Sequence, residues 1–222
     1  ARCVEAMRAV TNVPITVKHR IGVDEQEDWE ELVQFVDTVA AAGCERFSVH
    51  ARKAWLQGLS PKDNRNVPPL KPELVYRLKE VRPDLLIEIN GHIHGSAETA
   101  AHLQHVDAVM IGRAAYDDPY SFADMDQVIY GEDTEQVTRD AVVETVAEYA
   151  ARELEQHGRR AHFRRICQHL MNLYSGQPGA RAWRRHMTVE LVSEGATEQV
   201  ILDALKLVQQ ARERQHALSV AS

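Results

Sequence analysis

The stretch that decides the fold is LLIEINGHIHGSAETAAHLQHVDAVMIGR, residues 85–113. It opens with a β-rich apolar run at residues 85–90 and closes with a second one at residues 107–111. Between them, Ser96 is the expected N-cap of a helix that extends to about residue 104. Two short strands joined by one helix predict a βαβ unit, in which the strands are parallel and a helix covers the sheet.

The same alternation extends outward from this unit. Residues 14–18 and 46–50 are predicted strands, and helical patterns follow them after Asp28 and over residues 72–81. Residues 1–130 therefore alternate between strand and helix as an α/β fold does. Both a doubly wound sheet and part of a (β/α)8 barrel fit this order. A complete barrel would need roughly another 120 residues ahead of Ala1.

The pattern changes after Gly131, where the strand signals end. Residues 138–157, 160–175 and 197–216 are predicted amphipathic helices. We therefore divide the chain into an α/β domain of residues 1–131 and an all-α domain of residues 132–222.

Composition limits the class of protein. Hydrophobic residues make up 44% of the 222 residues and charged residues 27%, as in ordinary globular proteins. We expect no membrane span, because no apolar run approaches the roughly 20 residues that one requires. Cys3, Cys44 and Cys167 are too scattered for a disulfide framework or a CxxC metal site, which favours a cytoplasmic location.

Charge is distributed unevenly along the chain. The net charge of −7 argues mildly against a general nucleic-acid binder. Residues 159–185, however, contain several arginines and neither Asp nor Glu. Such a local basic face is compatible with one defined polyanion partner. The alternative is a solvated helical face with mobile counterions.

Polar residues gather at the ends of the predicted strands. These residues are Lys18, His50, Asn90 and the pair Gly112-Arg113. The carboxyl ends of parallel strands meet at the ligand-binding edge of α/β folds. Asn90-Gly91 and Gly112-Arg113 also precede helices, where backbone N–H groups favour phosphate. The residues therefore indicate an anionic ligand, although the glycines serve equally well in tight turns.

A metal site is the weaker interpretation of the histidines in this region. His92 and His94 form an H-x-H pattern that is compatible with zinc. No further ligand stands at an obvious spacing, so we predict no metal site.

Several stretches together resemble the tRNA-dihydrouridine synthases, and specifically their A subfamily. The longest is HARKAWLQGLSPKDNR at residues 50–65, and the others are VKHRIG at 17–22, INGHI at 89–93, VMIGR at 109–113 and GQPGARAWRR at 176–185. The resemblance implies the second half of an FMN-binding (β/α)8 TIM barrel, followed by a helical tRNA-binding domain. It further implies that NADPH reduces the flavin and that uridine in the D-loop of tRNA becomes 5,6-dihydrouridine.

The resemblance also implies roles for individual residues. Lys18 and His50 would contact the flavin ring or its edge. The FMN phosphate would be held by Asn90, Gly91, His92, Gly112 and Arg113. The tRNA would be contacted by Lys62, Arg65, Arg181 and Arg184. We expect a monomer when the enzyme is full length.

The chain departs from the family pattern in two respects. His92 stands where the family has a second glycine, which is awkward if the turn needs a positive φ. The proton-donor cysteine of the family is expected upstream of residue 1, so we assign no catalytic residue here and expect these 222 residues alone to be inactive. Two alternatives stay open: a non-catalytic RNA-binding remnant, and another FMN-dependent barrel oxidoreductase.

Overall fold

A computed structural model describes residues 1–26, 28–158 and 160–220, and it divides into two compact units, Ala1–Gly112 and Arg113–Ser222. The sequence predicts a boundary at residue 131, whereas the short helices that follow Gly112 group with the second unit. The assignment of domains to residues 1–131 and 132–222 stays a prediction.

The first unit is built on a parallel four-stranded sheet in the order β1-β2-β3-β4. Its strands are β1 (Thr16–Arg20), β2 (Arg46–His50), β3 (Leu86–Asn90) and β4 (Ala108–Met110). Its helices are α1 (Arg2–Arg8), α2 (Trp29–Ala41), α3 (Pro72–Val81) and α4 (Ser96–His102). The predicted α/β class with parallel strands is confirmed.

The two faces of this sheet differ in character. Phe47, Val49, Ile87 and Ile89 are buried in the apolar core, together with Val36 of α2 and other helix residues. Alternate residues of a strand point to opposite faces, and in-register residues of parallel neighbours share a face. The other face therefore carries Lys18 and Arg20 of β1, His50 of β2, and Glu88 and Asn90 of β3.

Strand β1 lies two residues further along the chain than the sequence predicts. It covers Thr16–Arg20, and Pro14 stays outside because proline has no N–H for the ladder. Lys18 is therefore the middle residue of the strand, so the prediction that it ends the strand is wrong. The residue at that end is Arg20, which pairs in register with His50.

Helix ends in the first unit follow local hydrogen bonding. Asp28 caps α2, because its side chain accepts a bond of 2.9 Å from the Glu31 N–H. The prediction that Ser96 caps α4 is wrong, since Gly95 is the N-cap and Ser96 is a buried first helical residue. Helix α3 begins at Pro72. Proline lacks an N–H, but the N–H of a first helical residue has no acceptor within the helix, so no hydrogen bond is lost.

The regular structure of the second unit is helical, and its described residues include no strand. Its helices are α5 (Arg113–Asp117), α6 (Met125–Tyr130), α7 (Arg139–His157), α8 (Arg160–Cys167), α9 (Ala180–Glu190) and α10 (Gln199–Val220). The helix predicted over residues 160–175 is shorter, because a 3-10 turn, Gln168–Leu170, follows α8. The fully buried side chains of Phe163, Tyr174, Trp183 and Met187 form the core of this unit.

Candidate functional site

The polar face of the sheet brings two predicted site residues into contact. Lys18 Nζ donates a hydrogen bond of 2.9 Å to Asn90 Oδ1, although β2 lies between their strands. The Asn90 Nδ2 donates in turn to the Met110 carbonyl oxygen at 2.7 Å. Asn90 therefore presents a fixed amide orientation to the lysine.

The charge of Lys18 is held in a partly desolvated environment. Lys18 is exposed as a whole residue, but burial of its ammonium end lowers its pKa, and the positive charge of Arg20 lowers the pKa further. Glu88 acts in the opposite direction. A cation with few competing water molecules interacts more strongly with an anionic group, because the local dielectric constant is lower.

Gly91 and His50 form a close contact that only glycine permits. Gly91 has φ of +130°, and a Cβ there would lie 2.8 Å from His50 Cδ2 and 3.0 Å from Leu70 Cδ2. Glycine adopts such a φ without strain and leaves its backbone accessible. Position 91 therefore requires glycine, while the phosphate contact predicted for Gly91 stays a prediction.

His92 follows with an unusual backbone conformation of its own. Its φ is +57°, so a residue with a side chain occupies a turn of positive φ, the unfavourable case considered from the sequence. The rings of His92 and His94 lie 4.3 Å apart, edge to face. The described residues contain no group of three or more potential metal ligands.

Gly112 and Arg113 differ from the preceding turn. A Cβ on Gly112 would meet nothing within 4 Å, and its φ is not in the positive range. Gly112 is the last residue of the first unit, and Arg113 is the first residue of α5 in the second.

Sequence reasoning missed Arg20, which organises the long loop of residues 51–70. Its Nη1 donates to the Lys53 carbonyl at 2.7 Å and to the Asn64 carbonyl at 2.8 Å. The predicted tRNA contacts Lys62 and Arg65 are exposed on either side of Asn64. The signal for Arg20 was its position two residues after Lys18, because residues i and i+2 of a strand share a face.

The second unit carries the other two predicted tRNA contacts. Arg181 and Arg184 lie on α9 and line a groove of about 950 Å³, together with Arg185, His186 and Leu207 of α10. Trp183 between them is fully buried, and its Nε1 donates to the Leu170 carbonyl at 3.0 Å. Trp183 is therefore an anchor of the core and cannot stack on a base.

The arginine-rich stretch of residues 159–185 lies partly outside the described residues. Arg159 and the side chain of Arg160 lie outside the described residues.

The three cysteines have different environments. Burial raises the pKa of Cys44, which precedes the amino end of β2, and it raises the pKa of Cys167 to about 12. Cys3 is exposed on α1. The described residues include no helix that is long and apolar enough to cross a membrane.

The family model and the curated relatives that match this chain agree with each other. The model of the dihydrouridine synthase (Dus) family matches residues 1–211. A tRNA-dihydrouridine(20/20a) synthase of Synechocystis sp. is 48% identical over 206 residues, which are 93% of this chain and 61% of that protein. A protein of the same name from Shewanella oneidensis is 48% identical over 209 residues, 94% of this chain and 62% of that protein. The Escherichia coli protein of that name is 46% identical over 213 residues, 96% and 61% of the two chains.

A solved structure also aligns with most of the chain. It is a dihydrodipicolinate synthase from Agrobacterium tumefaciens, 16% identical, covering 93% of this chain and 79% of its own. Its TM-score of 0.29 is too low to support an argument about the fold. The family is identified instead by its family model and by the curated relatives. The chain belongs to the dihydrouridine synthase family, and its relatives match the predicted A subfamily.

Proposed function

We propose that this chain provides the flavin-phosphate and tRNA contacts of a tRNA-dihydrouridine synthase, which reduces uridine to 5,6-dihydrouridine in the D-loop of tRNA. The observation that carries the proposal is the contact of Lys18 with Asn90, beside the Gly91 turn, on the polar face of a parallel sheet. The curated relatives are named for this activity, and the chain spans 61% of the Synechocystis sp. protein.

The residues present fit a flavin mononucleotide. A desolvated ammonium group and a fixed amide suit the polar edge of a flavin ring. Only glycine fits the Gly91 turn, because a Cβ there would collide with His50 and Leu70, and we propose that its backbone N–H faces the phosphate. Gly112 is open on its Cβ side, and Arg113 adds a cation of the type that favours phosphate.

Each of these residues has a distinct task in the proposed reaction. Lys18 holds a proton at Nζ and stabilises negative charge near the flavin edge. Asn90 fixes the orientation of Lys18, and His50 packs against the Gly91 backbone and keeps the turn in place. When bound, the flavin supplies the two-electron reduction of the uracil double bond, with NADPH as the implied reductant.

The tRNA contacts are proposed to act through phosphates. Lys62 and Arg65 lie on an exposed turn, and Arg181 and Arg184 line the groove of the second unit. Contacts of this kind position the nucleic acid, whereas the flavin site reads the base. Enzymes that modify a base extrude it from the stack, which requires such anchoring.

The remaining parts of the proposal concern the whole enzyme. The first unit would be the second half of a (β/α)8 barrel. The proton-donor cysteine would come from a segment ahead of residue 1, so the 222 residues alone would be inactive. We further propose a monomeric enzyme of the cytoplasm.

One observation favours a second candidate, a non-catalytic RNA-binding remnant. Arg181, Arg184 and Arg185 of α9 line an open groove, and these cations would contact RNA whether or not a flavin is bound. Such a protein would bind tRNA but no flavin.

A flavin titration distinguishes the two candidates. Quenching of FMN fluorescence, measured on residues 1–222 joined to the amino-terminal segment of the Synechocystis sp. relative, gives the Kd, and we expect Lys18→Met to raise it about tenfold or more through loss of a charge-assisted contact. Lys206→Met is the matched control, because Lys206 pairs with Asp203 on the surface of α10. Tight tRNA binding with no FMN binding would favour the remnant.

A further inference from the structure

The end of β1 is joined to the long loop by the side chain of Arg20, beside backbone bonds that Gly22 and Asp24 make with Ala54. Arg20 is the last residue of the strand and shares a face with Lys18. Its Nη1 donates to two loop carbonyls, those of Lys53 and Asn64, at 2.7 and 2.8 Å. The strand that presents Lys18 to Asn90 therefore also holds the loop.

Asn64 connects that fastening to the rest of the loop. Its Oδ1 accepts a bond of 2.7 Å from the Trp55 N–H, and its Nδ2 donates to the Trp55 carbonyl, also at 2.7 Å. The side chain of Asn64 thus pairs with both backbone groups of Trp55, as a neighbouring strand would. Because Asn64 lies in the turn Asp63–Arg65, these bonds fix the position of that turn.

The charged form of Arg20 is destabilised in this position by burial and by neighbouring cations. Burial lowers the pKa of Arg20, and the positive charges of Arg52 and Arg65 lower it further. Carbonyl oxygens, rather than carboxylates, accept the two bonds from its Nη1. A phosphate bound by Arg65 on the exposed turn would reduce the repulsion between Arg65 and Arg20 without touching Arg20.

We propose that Arg20 and Asn64 form a latch that holds the turn of Lys62 and Arg65 in one position relative to β1, so that the turn meets the RNA backbone already ordered. The inference rests on the proposed function, because tRNA is the polyanion that this turn would contact. Arg20 is a positioning residue in this account. Pre-ordering a loop improves affinity because less conformational entropy is lost on binding.

Hydrogen exchange on the 222-residue chain tests the latch without any activity assay. In Arg20→Gln, the Trp55 amide is expected to exchange about tenfold faster, because a charge-assisted anchor of the loop is gone. The core amides of Val49 and Ile89 should exchange at the wild-type rate. Arg2→Gln, on the exposed α1, is the matched control and should leave Trp55 unchanged. Unaltered exchange at Trp55 in Arg20→Gln overturns the latch.

A second variant covers the case in which Arg20→Gln does not fold. Asn64→Ala keeps Arg20 and removes the side-chain bonds to Trp55. It should speed exchange of the Trp55 amide by a similar factor, and protection equal to wild type overturns the proposal.

Binding of tRNA at several salt concentrations separates positioning from direct contact. Lys62→Ala should reduce the slope of log K against log[salt] by about 0.9, as expected for one lost phosphate contact. Arg20→Gln should weaken binding by about three- to tenfold while the slope stays at the wild-type value. A slope reduced as much as in Lys62→Ala means that Arg20 itself touches phosphate, which overturns the latch. Absence of tRNA binding by the wild-type chain contradicts the proposed function, while the exchange data still decide the latch.

Discussion

Gly91→Ala is the substitution whose consequences the structure defines most closely. The backbone at Gly91 has φ of +130°, a conformation that costs a residue with a Cβ about 1–3 kcal/mol. The new Cβ would also lie 2.8 Å from His50 Cδ2 and 3.0 Å from Leu70 Cδ2. Overpacking of this kind costs a further ~1–3 kcal/mol. We therefore expect the free energy of unfolding to fall by about 2–6 kcal/mol.

Gly112→Ala is the matched control for this experiment. Gly112 has no positive φ, and a Cβ there would meet nothing within 4 Å. Its substitution should change the free energy of unfolding by less than about 1 kcal/mol. Urea unfolding followed by far-ultraviolet circular dichroism measures both variants, and FMN titration should show weaker binding for Gly91→Ala. The reasoning is refuted if Gly91→Ala is as stable as wild type, or if Gly112→Ala loses as much stability.

Three further predictions concern other parts of the chain. Asp140→Asn should lower the free energy of unfolding by about 1–3 kcal/mol, because Asp140 accepts bonds of 2.8 and 2.9 Å from Arg212; equal urea midpoints would contradict this. Burial lowers the pKa of the His19 imidazole below its usual value of 6.5. The free energy of unfolding should therefore increase as the pH rises from the lowered pKa to 6.5, and it should decrease as the pH falls through the same range. His19→Leu should flatten this dependence in thermal unfolding measured across pH, and an unchanged profile would count against it. Joint replacement of Arg181 and Arg184 by Ala should reduce the salt slope of tRNA binding by about 1.8, and an unchanged slope would exclude them as phosphate contacts.

Elements with strong local signals were predictable from the sequence. Strand β2 is found at the predicted residues 46–50, and α3 at 72–81, where Pro72 marks its start. Asp28 and Glu31 have the spacing of a capping box, and Asp28 caps α2. In each case the residue type restricts the backbone within one or two positions.

Other features depended on tertiary contacts that no local pattern encodes. Strand β1 extends to Arg20 because its register with β2 pairs Arg20 with His50, which hydropathy alone does not indicate. Gly95 and Ser96 both suit the start of a helix, and the burial of Ser96 decides between them. The alternation of β1 indicates that Arg20 shares a face with Lys18, but its bond to a residue 44 positions away is not encoded in any local pattern.

The candidate site was predictable as a set of residue types rather than as a geometry. Lys18 and Asn90 were both expected at the ligand edge, but their direct bond across β2 was not. Gly91 and Gly112 looked alike in the sequence, yet only Gly91 has a conformation that requires glycine. The Arg181 and Arg184 spacing correctly indicated one helix surface, because both side chains line the same groove.

The central claim is that this chain supplies the flavin and tRNA contacts for dihydrouridine formation. The most direct test joins the amino-terminal segment of the Synechocystis sp. relative to residues 1–222, and supplies FMN, NADPH and unmodified tRNA. Mass spectrometry of the digested tRNA should then show uridine that has gained two hydrogen atoms, and Lys18→Met should slow its formation about 100-fold. A chimera that folds and binds FMN and tRNA, yet leaves every uridine unreduced, would contradict the account.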